Sequence, residues 1–550
     1  MISRIREKQA GERGCPVSGN SRQRPTAKVA SGPMSTTIAQ AKAEPQTAPA
    51  ARSVWRHYPS LYEINTWVWL TDLSAKYSKP IDLASVPSAE WDAIAAYGFD
   101  AVWLMGVWER SPAGIAIANK NPGLLEDFRR ALPDLRPEDN VGSAYAVRRY
   151  VVDPHLGGPK ALAAARAELA RRGMNLLLDF VPNHVAPDNP WATDHLEYFI
   201  AGTADDARNN PGCFITLNGV ACACGRDPFF PPWPDVLQLN AFNPKLRQAV
   251  IETLSSIADQ CDGVRCDMAM LVLNSVFERT WGSRVGPPPP TEYWTDIITA
   301  TKTHHPGFLF IAEAYWDLEW QLQQLGFDFC YDKKLYDRLE HDSAENVRLH
   351  LCADMDYQSK LLRFLENHDE PRAATAFSPA KERAVAVATY TLPGAGLYHE
   401  GQLEGRKVRP PVFLGRRPQE PVDQPLRDFY AKLIATANQS LFHDGYWGLC
   451  ERSGWPDNAS FRNLVAWVWR SKQEGCLVAV NLSDSPLQAL IQVPWAGNRF
   501  WNLTDVFSAV TYRRDGNDMA SRGLYIELAP WAFNLFQFTE VDEQELSTPR

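Results

Sequence analysis

Four short polar segments, each placed directly after an apolar run, constrain the fold of this chain more than any other feature. In chain order they are Asp179-Phe-Val-Pro-Asn-His184, Gly263-Val-Arg-Cys-Asp267, Ala312-Glu313-Ala-Tyr315 and Glu366-Asn-His-Asp369. The apolar runs before them have the length of buried β-strands. All strands of a parallel barrel end on one face, so polar groups at four strand ends would meet at one site. The sequence therefore predicts a barrel whose carboxyl-terminal face gathers Arg, His, Asp and Glu, a set suited to chemistry on a sugar.

Strand-like and helix-like segments alternate from Trp55 to about residue 440. The clearest examples are a first strand over 61–67, a strand over 101–105, an Ala-rich helix over 160–172 and a strand over 175–181. This strand–helix alternation is typical of a parallel sheet. After about residue 446 the chain changes to short alternating runs separated by Asn, Asp, Ser and Gly, which predict antiparallel β structure.

The predicted architecture is a (β/α)8 TIM barrel over residues 53–440, followed by a C-terminal antiparallel β-sandwich domain over 441–541. Residues of about 186–240 break the alternation and are rich in Asn, Asp, Gly, Pro and aromatic residues, so we expect a short, functional insertion after the third strand. Residues 1–52 hold no apolar core segment and predict a disordered N-terminal extension. Residues 542–550 are predicted to be a tail.

Charge and cysteine content narrow the partners and the compartment. The net charge of −9 over 550 residues argues against nucleic acid or an anionic membrane as a partner. The sequence carries no signal-peptide apolar region and no run long and apolar enough to span a bilayer, although Met34 is an alternative start. Its ten Cys form no evident disulfide framework, and Cys213, Cys222 and Cys224 lack the paired spacing of a zinc site. A cytoplasmic protein with reduced thiols is therefore expected.

The chain has 19 Trp, an unusually high number. Several of them lie near predicted strand ends, where a flat ring could stack on a sugar; the alternative is that they pack the barrel. These are Trp67, Trp69, Trp103, Trp108 and Trp316.

Together, the four segments resemble the signature of glycoside hydrolase family 13, the α-amylase family, in order and in spacing. The resemblance covers roughly residues 55–540. It implies that Asp267 is the catalytic nucleophile, that Glu313 is the general acid/base, and that Asp369 is the third carboxylate, which holds the ring hydroxyls of the sugar. Such a pairing agrees with retaining glycoside cleavage, which needs one ionised and one protonated carboxyl group.

The resemblance also supplies four substrate-binding residues. It implies that His184 and His368 hydrogen-bond the sugar at the cleavage point, and that Tyr145 stacks on the same sugar. Arg265 lies two residues before Asp267, so both side chains point to the same face of a strand, where the guanidinium can keep the carboxylate ionised. Glu313, beside Tyr315, is expected in a drier setting that raises its pKa.

Two departures from the family pattern bear on metal binding and on substrate. The run Met268-Ala-Met-Leu271 stands where α-amylases usually carry Lys-His, a pair that helps to bind sugars and contributes a ligand to the usual calcium. Arg149 precedes Tyr150 where most members have Asp. We therefore expect no metal and no other cofactor, and a strict endo-acting α-amylase is not implied.

The function predicted from the residues and the resemblance is that of a retaining α-glycosidase acting on α-linked glucosides or α-glucan, in oligosaccharide or glycogen and starch metabolism, through a covalent glycosyl-enzyme intermediate. One alternative is a transglycosidase of the same fold, such as a glucanotransferase, a phosphorylase or a disaccharide isomerase. The other is a catalytically silent carbohydrate-binding relative. Chain-length preference, linkage and oligomeric state stay open.

The long loop after the last predicted barrel strand suggests one further hypothesis. It carries five basic residues, and the loops after the last two strands of a TIM barrel are a frequent phosphate site. Phosphate or a sugar phosphate could then act as the acceptor; the alternative is a solvated loop whose charges pair with one another. The basic residues are Arg406, Lys407, Arg409, Arg416 and Arg417, beside Glu400 and Glu404.

Overall fold

The computed structural model describes residues 55–541 except 218 and 473. The predicted N-terminal extension at 1–52, the alternative start at Met34 and the predicted tail at 542–550 lie outside the described residues. Among the helices that are described, we find none that combines the length and the apolarity needed to cross a membrane.

Eight parallel strands close into a barrel, as the sequence predicted. Neighbours in the barrel follow one another along the chain, and the first strand closes the ring by pairing with the last, with Leu61 opposite Leu397. The strands are Ser60–Asn65, Ala101–Met105, Asn175–Phe180, Gly263–Cys266, Leu309–Ala312, Phe329–Tyr331, Leu361–Phe364 and Ala395–His399.

Helices surround the barrel and bury their apolar faces against it. In Gly158–Arg171 the buried positions Ala161, Leu162, Ala165 and Leu169 recur at helical spacing and face the strands. The principal helices between and after the strands are Thr66–Tyr77, Ser88–Ala95, Pro112–Ala118, Pro122–Ala131, Gly158–Arg171, Pro244–Ala258, Asn274–Trp281, Tyr293–His304, Glu319–Gln324, Lys333–His341, Ala344–His350, Pro379–Tyr390 and Gln424–Ala437. Shorter helices span Trp191–Asp194, Ala204–Asn209, Met355–Gln358, Ala373–Ala376, Leu441–Asp444 and Gly516–Ser521.

The first strand is shorter than predicted. It ends at Asn65, not at Trp67, because the Asn65 side chain accepts a hydrogen bond from the Val68 N–H and caps the helix that begins at Thr66. The three-residue sixth strand, Phe329–Tyr331, was not recognised in the sequence because it is too short to show a period.

The insertion after the third strand forms a small antiparallel sheet, and it begins directly at the strand end. Its first strand, His184–Val185, pairs with Trp233–Gln238, so His184 lies where the insertion meets the barrel. The remaining strands of this sheet are Ala201–Gly202, Phe214–Leu217 and Val220–Gly225. A separate pair, Trp108–Glu109 with Arg149–Val152, follows the second barrel strand.

Two antiparallel sheets at the carboxyl end of the described chain confirm the antiparallel β structure predicted after about residue 446. The larger has six strands, in the spatial order Tyr446–Leu449, Leu464–Arg470, Gly475–Asn481, Phe533–Glu540, Phe500–Asp505 and Thr511–Asp515. The smaller has three, in the order Arg452–Ser453, Leu487–Ile491 and Leu524–Leu528. The six-stranded sheet is tied to the barrel side by Trp467 and Trp469, whose indole N–H groups both donate to the Thr391 carbonyl at 3.0 and 2.7 Å.

Candidate active site

The centre of the site is the guanidinium of Arg265, near the end of the fourth barrel strand. Its Nη1 atom donates to Asp267 Oδ1 at 2.7 Å. Its Nη2 atom lies 2.8 Å from Glu313 Oε2, a close ion-pair contact whose angle falls short of an aligned hydrogen bond. Since one planar group holds both carboxylates, Asp267 and Glu313 lie side by side on the same face of the barrel. Arg265 itself is buried, and it packs over the ring of Tyr145 at 5.1 Å.

Glu313 is buried at the end of the fifth strand and accepts two hydrogen bonds. The Met268 N–H donates to Oε2 at 2.6 Å, and the Tyr315 hydroxyl donates to Oε1 at 2.8 Å. Met268 has a positive φ of 42°, unusual for a residue other than glycine, in the turn that presents this N–H to Glu313. Burial raises the pKa of Glu313 to about 7, an effect that Arg265 opposes and the charge of Asp267 strengthens. Glu313 can therefore hold a proton near neutral pH.

The other two carboxylates have different electrostatic surroundings. Burial raises the pKa of Asp267, but the charge and the hydrogen bond of Arg265 counteract this rise. Burial also acts to raise the pKa of Asp369, yet the neighbouring His368 holds it below its ordinary value. The Asp369 side chain is 40% exposed, so this carboxylate opens towards solvent at the barrel mouth.

His368 connects Asp369 to the aromatic wall of the site. Its Nε2 atom lies 2.6 Å from the Tyr145 hydroxyl and 3.1 Å from Asp369 Oδ2, while Nδ1 contacts the carboxylate of Glu63. Burial acts to lower the pKa of His368, but Asp369 and Glu63 together raise it well above its ordinary value. Both carboxylates therefore favour the imidazolium form of His368, in which both ring nitrogens can donate.

Sequence reasoning missed Glu63. Its side chain is fully buried within the first barrel strand, among residues that are otherwise largely apolar. A charged residue at a buried strand position is an anomaly that the sequence does display. Its partner, however, lies 305 positions away, which no local pattern indicates.

The last two predicted site residues, Tyr145 and His184, also contact this cluster of side chains. Tyr145 is half-buried, and its ring stacks on His368 with centroids 5.3 Å apart. His184 is hydrogen-bonded to the Tyr145 backbone and lies 5.2 Å from the ring of Trp233 in the insertion. Burial lowers the pKa of His184 to about 4, so its ring is neutral near pH 7. Contacts thus join all seven residues: Tyr145, His184, Arg265, Asp267, Glu313, His368 and Asp369.

Comparison with known proteins agrees with this geometry. The family model of the α-amylase catalytic domain matches residues 89–407, more than half of the chain. The chain belongs to the α-amylase family. Among solved structures, it resembles a noncanonic maltogenic α-amylase from Thermotoga neapolitana, with a TM-score of 0.62, 18% identity and coverage of 88% of this chain and 99% of that one. An α-amylase from Lactobacillus plantarum superposes with a TM-score of 0.60 at 19% identity, covering 88% of this chain and 99% of that one.

The curated relatives are longer proteins, and the matched regions cover only part of them. The α-amylase MalA of Haloarcula japonica is 24% identical over 416 residues, which is 72% of this chain and 52% of that protein. The α-1,4-glucan:maltose-1-phosphate maltosyltransferase of Rhodospirillum rubrum is 27% identical over 285 residues, or 48% of this chain and 35% of that protein. The chain thus spans about half, or less, of the length of these relatives.

The usual calcium of the α-amylase family does not fit the residues present here. The carbonyl and side-chain oxygens of Asn183, beside the site, both accept from Gln238 Nε2, at 2.9 and 2.8 Å. Met268-Ala-Met-Leu271 presents a buried apolar surface where the family carries Lys-His. Ca²⁺ needs several oxygen ligands, and an amide donor directed at these oxygens excludes a cation from them. Within the part of the chain that is described, no cluster of three or more His, Cys, Asp or Glu residues could hold a metal ion.

Most of the tryptophans near the strand ends pack the protein. Trp67, Trp69, Trp103 and Trp108 are each no more than 8% exposed, so the packing interpretation holds for them. Trp316 differs, because it is only partly buried and meets the exposed ring of Phe229 edge to face at 4.9 Å.

Two of the five basic residues in the loop after the last strand are paired with acids. Arg417 binds both Glu400 and Asp72, and Arg416 binds Asp134 and Asp139. Only the pair of Arg417 with Glu400 lies within the loop, because Asp72, Asp134 and Asp139 belong to other parts of the barrel. Both arginines are neutralised, and neither offers an unpaired cation for phosphate. In the same loop, Arg409 donates to the backbone carbonyl of Asp369 and so helps to position that residue.

Proposed function

We propose that this protein is a retaining α-glycosidase acting on α-linked glucosides or α-glucan, with Asp267 as nucleophile and Glu313 as general acid/base. The observation that carries the proposal is the pair of carboxylates held by Arg265. Arg265 contacts both of them, but it donates an aligned hydrogen bond only to Asp267, whereas burial raises the pKa of Glu313 to about 7. Retaining glycosidases need an adjacent pair of carboxyl groups, one ionised to attack and one protonated to release the leaving oxygen.

In the first step, an oxygen of Asp267 attacks the anomeric carbon while Glu313 gives its proton to the departing glycosidic oxygen. The bond from carbon to the leaving oxygen breaks, and a β-glycosyl ester of Asp267 forms. The charge and the hydrogen bond of Arg265 oppose the effect of burial on the pKa of Asp267, which favours its ionised form, and they orient the carboxylate for attack. Because the Met268 N–H and the Tyr315 hydroxyl fix both Glu313 oxygens, the acid is held in one orientation.

In the second step, Glu313, now a carboxylate, removes a proton from water as the water oxygen attacks the anomeric carbon. The ester bond to Asp267 breaks, the sugar leaves with its original configuration, and Glu313 is protonated again. The exposed carboxylate of Asp369 and the ring of His368 are placed to hold sugar hydroxyls, and Tyr145 offers an aromatic face.

Transfer to another sugar is the second candidate function. It uses the same intermediate, but an acceptor hydroxyl takes the place of water. The match to a maltosyltransferase supports it, whereas the acid-paired Arg416 and Arg417 give phosphate no obvious site. Incubation with maltose, sucrose, trehalose, maltoheptaose and glycogen, with and without phosphate, separates the outcomes by their products. Glucose or maltose alone indicates hydrolysis, longer or rearranged sugars indicate transfer, and a sugar phosphate indicates phosphorolysis.

The roles of the two carboxylates are tested with variants and azide. Asp267→Asn and Glu313→Gln should each lower kcat by about 10³-fold or more without loss of fold, as for other groups that react directly. With an aryl α-glucoside, azide should rescue Asp267→Ala to give a β-glucosyl azide and rescue Glu313→Ala to give an α-glucosyl azide. Near-normal activity of either variant, or the same azide anomer from both, refutes the assignment.

We also propose a cytoplasmic location. The described part of the chain carries nine free cysteines, eight of them partly or fully buried, as in proteins of reducing compartments. An intracellular maltogenic amylase of Bacillus subtilis is a relative, 22% identical over 315 residues, which is 55% of this chain and 51% of that protein. Fractionation of cells that express the tagged protein tests this proposal.

A further inference from the structure

A cleft lies in the C-terminal sheets, outside the barrel. It has a volume of about 270 Å³ and lies between strands Thr511–Asp515 and Leu524–Leu528. Each is the end strand of its sheet among the described residues, so the cleft opens where the two sheets separate. This volume is close to the lower end of the range of about 300–1,000 Å³ that is usual for small-molecule sites.

Each end strand contributes one exposed tyrosine to the rim of this cleft. Tyr512 is 41% exposed and Tyr525 is 46% exposed, so both rings offer aromatic surface to a ligand. The ring of Trp455, also exposed, lies 6.1 Å from Tyr525 and lengthens the aromatic surface on that side.

Buried apolar side chains form the bottom of the cleft, and strand Thr511–Asp515 adds a charged side chain to its rim. Leu503, Ile526 and Phe536 are buried beneath the cleft. Arg514 lies two residues after Tyr512, on the same face of the strand, and its guanidinium packs on that ring at 5.3 Å. The only hydrogen bond we find for the Arg514 side chain within residues 55–541 goes to the Arg513 carbonyl, so most of its five donors remain available.

The other end strand contributes an acid, Glu527, to the lining of the cleft. Glu527 accepts a hydrogen bond from the Tyr525 hydroxyl at 3.0 Å and lies two residues along the same strand. The cleft therefore presents a donor wall, an acceptor wall and two aromatic faces. Its local charges, one Arg and one Glu, cancel.

We propose that this cleft is a second α-glucan binding site, separate from the barrel site. A glucan unit has apolar C–H faces that fit between aromatic rings, and a rim of neutral hydroxyls that both donate and accept. The balanced charge of the cleft suits a neutral ligand, whereas nucleic acid or an anionic surface would require an excess of basic residues. The choice of ligand rests on the proposed function, and the cleft would keep the barrel site close to a long chain.

The test compares full-length proteins that all carry Asp267→Asn, so that glucan is not consumed. Co-sedimentation with insoluble starch measures binding for the parent, for Tyr512→Ala/Tyr525→Ala and for Arg514→Ala. Tyr446→Ala is the matched control, because Tyr446 is an exposed tyrosine in the same six-stranded sheet, stacked by Arg470 and outside the cleft. Circular dichroism and the thermal midpoint check the fold of each variant.

We expect starch binding to fall at least tenfold in the double variant and severalfold in Arg514→Ala, but to be unchanged in Tyr446→Ala. In the active background, the double variant should act on maltotriose like the parent and lose activity selectively on glycogen. Parent-like starch binding by a folded double variant overturns the proposal. So does a parent that dimerises through this cleft, shown by a monomeric double variant with unchanged starch binding. If the parent is inactive on every glucan, the proposed function fails, while the sedimentation result still decides the cleft.

Discussion

The carboxylate of Glu63 and the Nδ1 atom of His368 form a hydrogen-bonded pair that joins the first barrel strand to the loop after the seventh. Both side chains are buried, and the other ring nitrogen of His368 faces Tyr145 and Asp369. Glu63 therefore orients the ring of His368 and, together with Asp369, raises its pKa without reaching the site itself. It is a positioning residue.

Glu63→Gln should lower the pKa of His368, because the buried negative charge that stabilises the imidazolium is removed. Glutamine still accepts from Nδ1–H but lacks the charge, and a hydrogen bond to a neutral acceptor is weaker by about 1–1.5 kcal/mol, which predicts a fall in kcat/KM of about 5- to 10-fold. NMR should then show the His368 ring losing its proton at a lower pH than it does in the parent protein.

Glu382→Gln is the matched control for that variant. Glu382 is also buried and hydrogen-bonded, to Tyr430, but it lies on helix Pro379–Tyr390, outside the site. It should leave both kcat/KM and the His368 resonance unchanged. Equal effects from the two variants would mean that Glu63 contributes only general stability.

Above about pH 7, kcat/KM should fall about tenfold for each further pH unit. Burial raises the pKa of Glu313 from its ordinary value to about 7, so the acid is protonated below that pH and loses its proton above it. Rates measured from pH 4 to 10 at low substrate concentration locate this limb.

Tyr315→Phe should move the alkaline limb to higher pH. The Tyr315 hydroxyl donates to Glu313 at 2.8 Å and stabilises its ionised form, so its removal favours the protonated acid. An alkaline limb that stays in place in this variant, or that lies near pH 10 in the parent, would be inconsistent with Glu313 as the acid.

Arg417→Met should destabilise the protein strongly. The Arg417 side chain is buried between Glu400 and Asp72, and its removal leaves two acids in a largely buried setting without a partner. Breaking a buried pair from one side costs about 3–5 kcal/mol. The midpoint of urea unfolding should fall accordingly.

The control for Arg417 is the exposed pair formed by Arg499 and Glu540, 2.7 Å apart with both side chains about half exposed. Arg499→Met should change stability by about 0–1 kcal/mol. If the two variants unfold at the same urea concentration, the buried pair adds nothing beyond an ordinary surface contact.

Chelation should affect neither activity nor stability. The Asn183 oxygens already accept from the Gln238 amide, so we expect that calcium does not bind on this side of the site. We expect the thermal midpoint in EDTA to match that in Ca²⁺ to within about 1 °C. A fall of several degrees that Ca²⁺ reverses and Mg²⁺ does not would contradict the donor-set argument.

Local spacing explains why much of the site was predictable. Arg265 lies in a strand and Asp267 follows its last residue, so strand geometry predicts that both side chains point to the same face. In the structure, Arg265 Nη1 lies 2.7 Å from Asp267 Oδ1. The pair formed by Glu63 and His368 was not predictable, because closure of the barrel brings together residues that are distant in sequence.

The same limit applies to the C-terminal sheets. Strand Leu524–Leu528 alternates buried and exposed residues and was recognised, whereas Thr511–Asp515 has almost no buried position and shows no period. The cleft between these two strands depends on their being end strands, a property of sheet order that the sequence does not encode locally.

The shared carbonyl of Thr391 makes the carboxyl-terminal sheets inseparable from the catalytic body. Helix Pro379–Tyr390, which leads to it, is buried continuously from Ala384 to Tyr390, with no face left for water. We expect a protein truncated before Tyr446 to expose this apolar helix surface to water and to aggregate instead of folding into a smaller active enzyme. Engineering of this protein has to treat residues 55–541 as one piece.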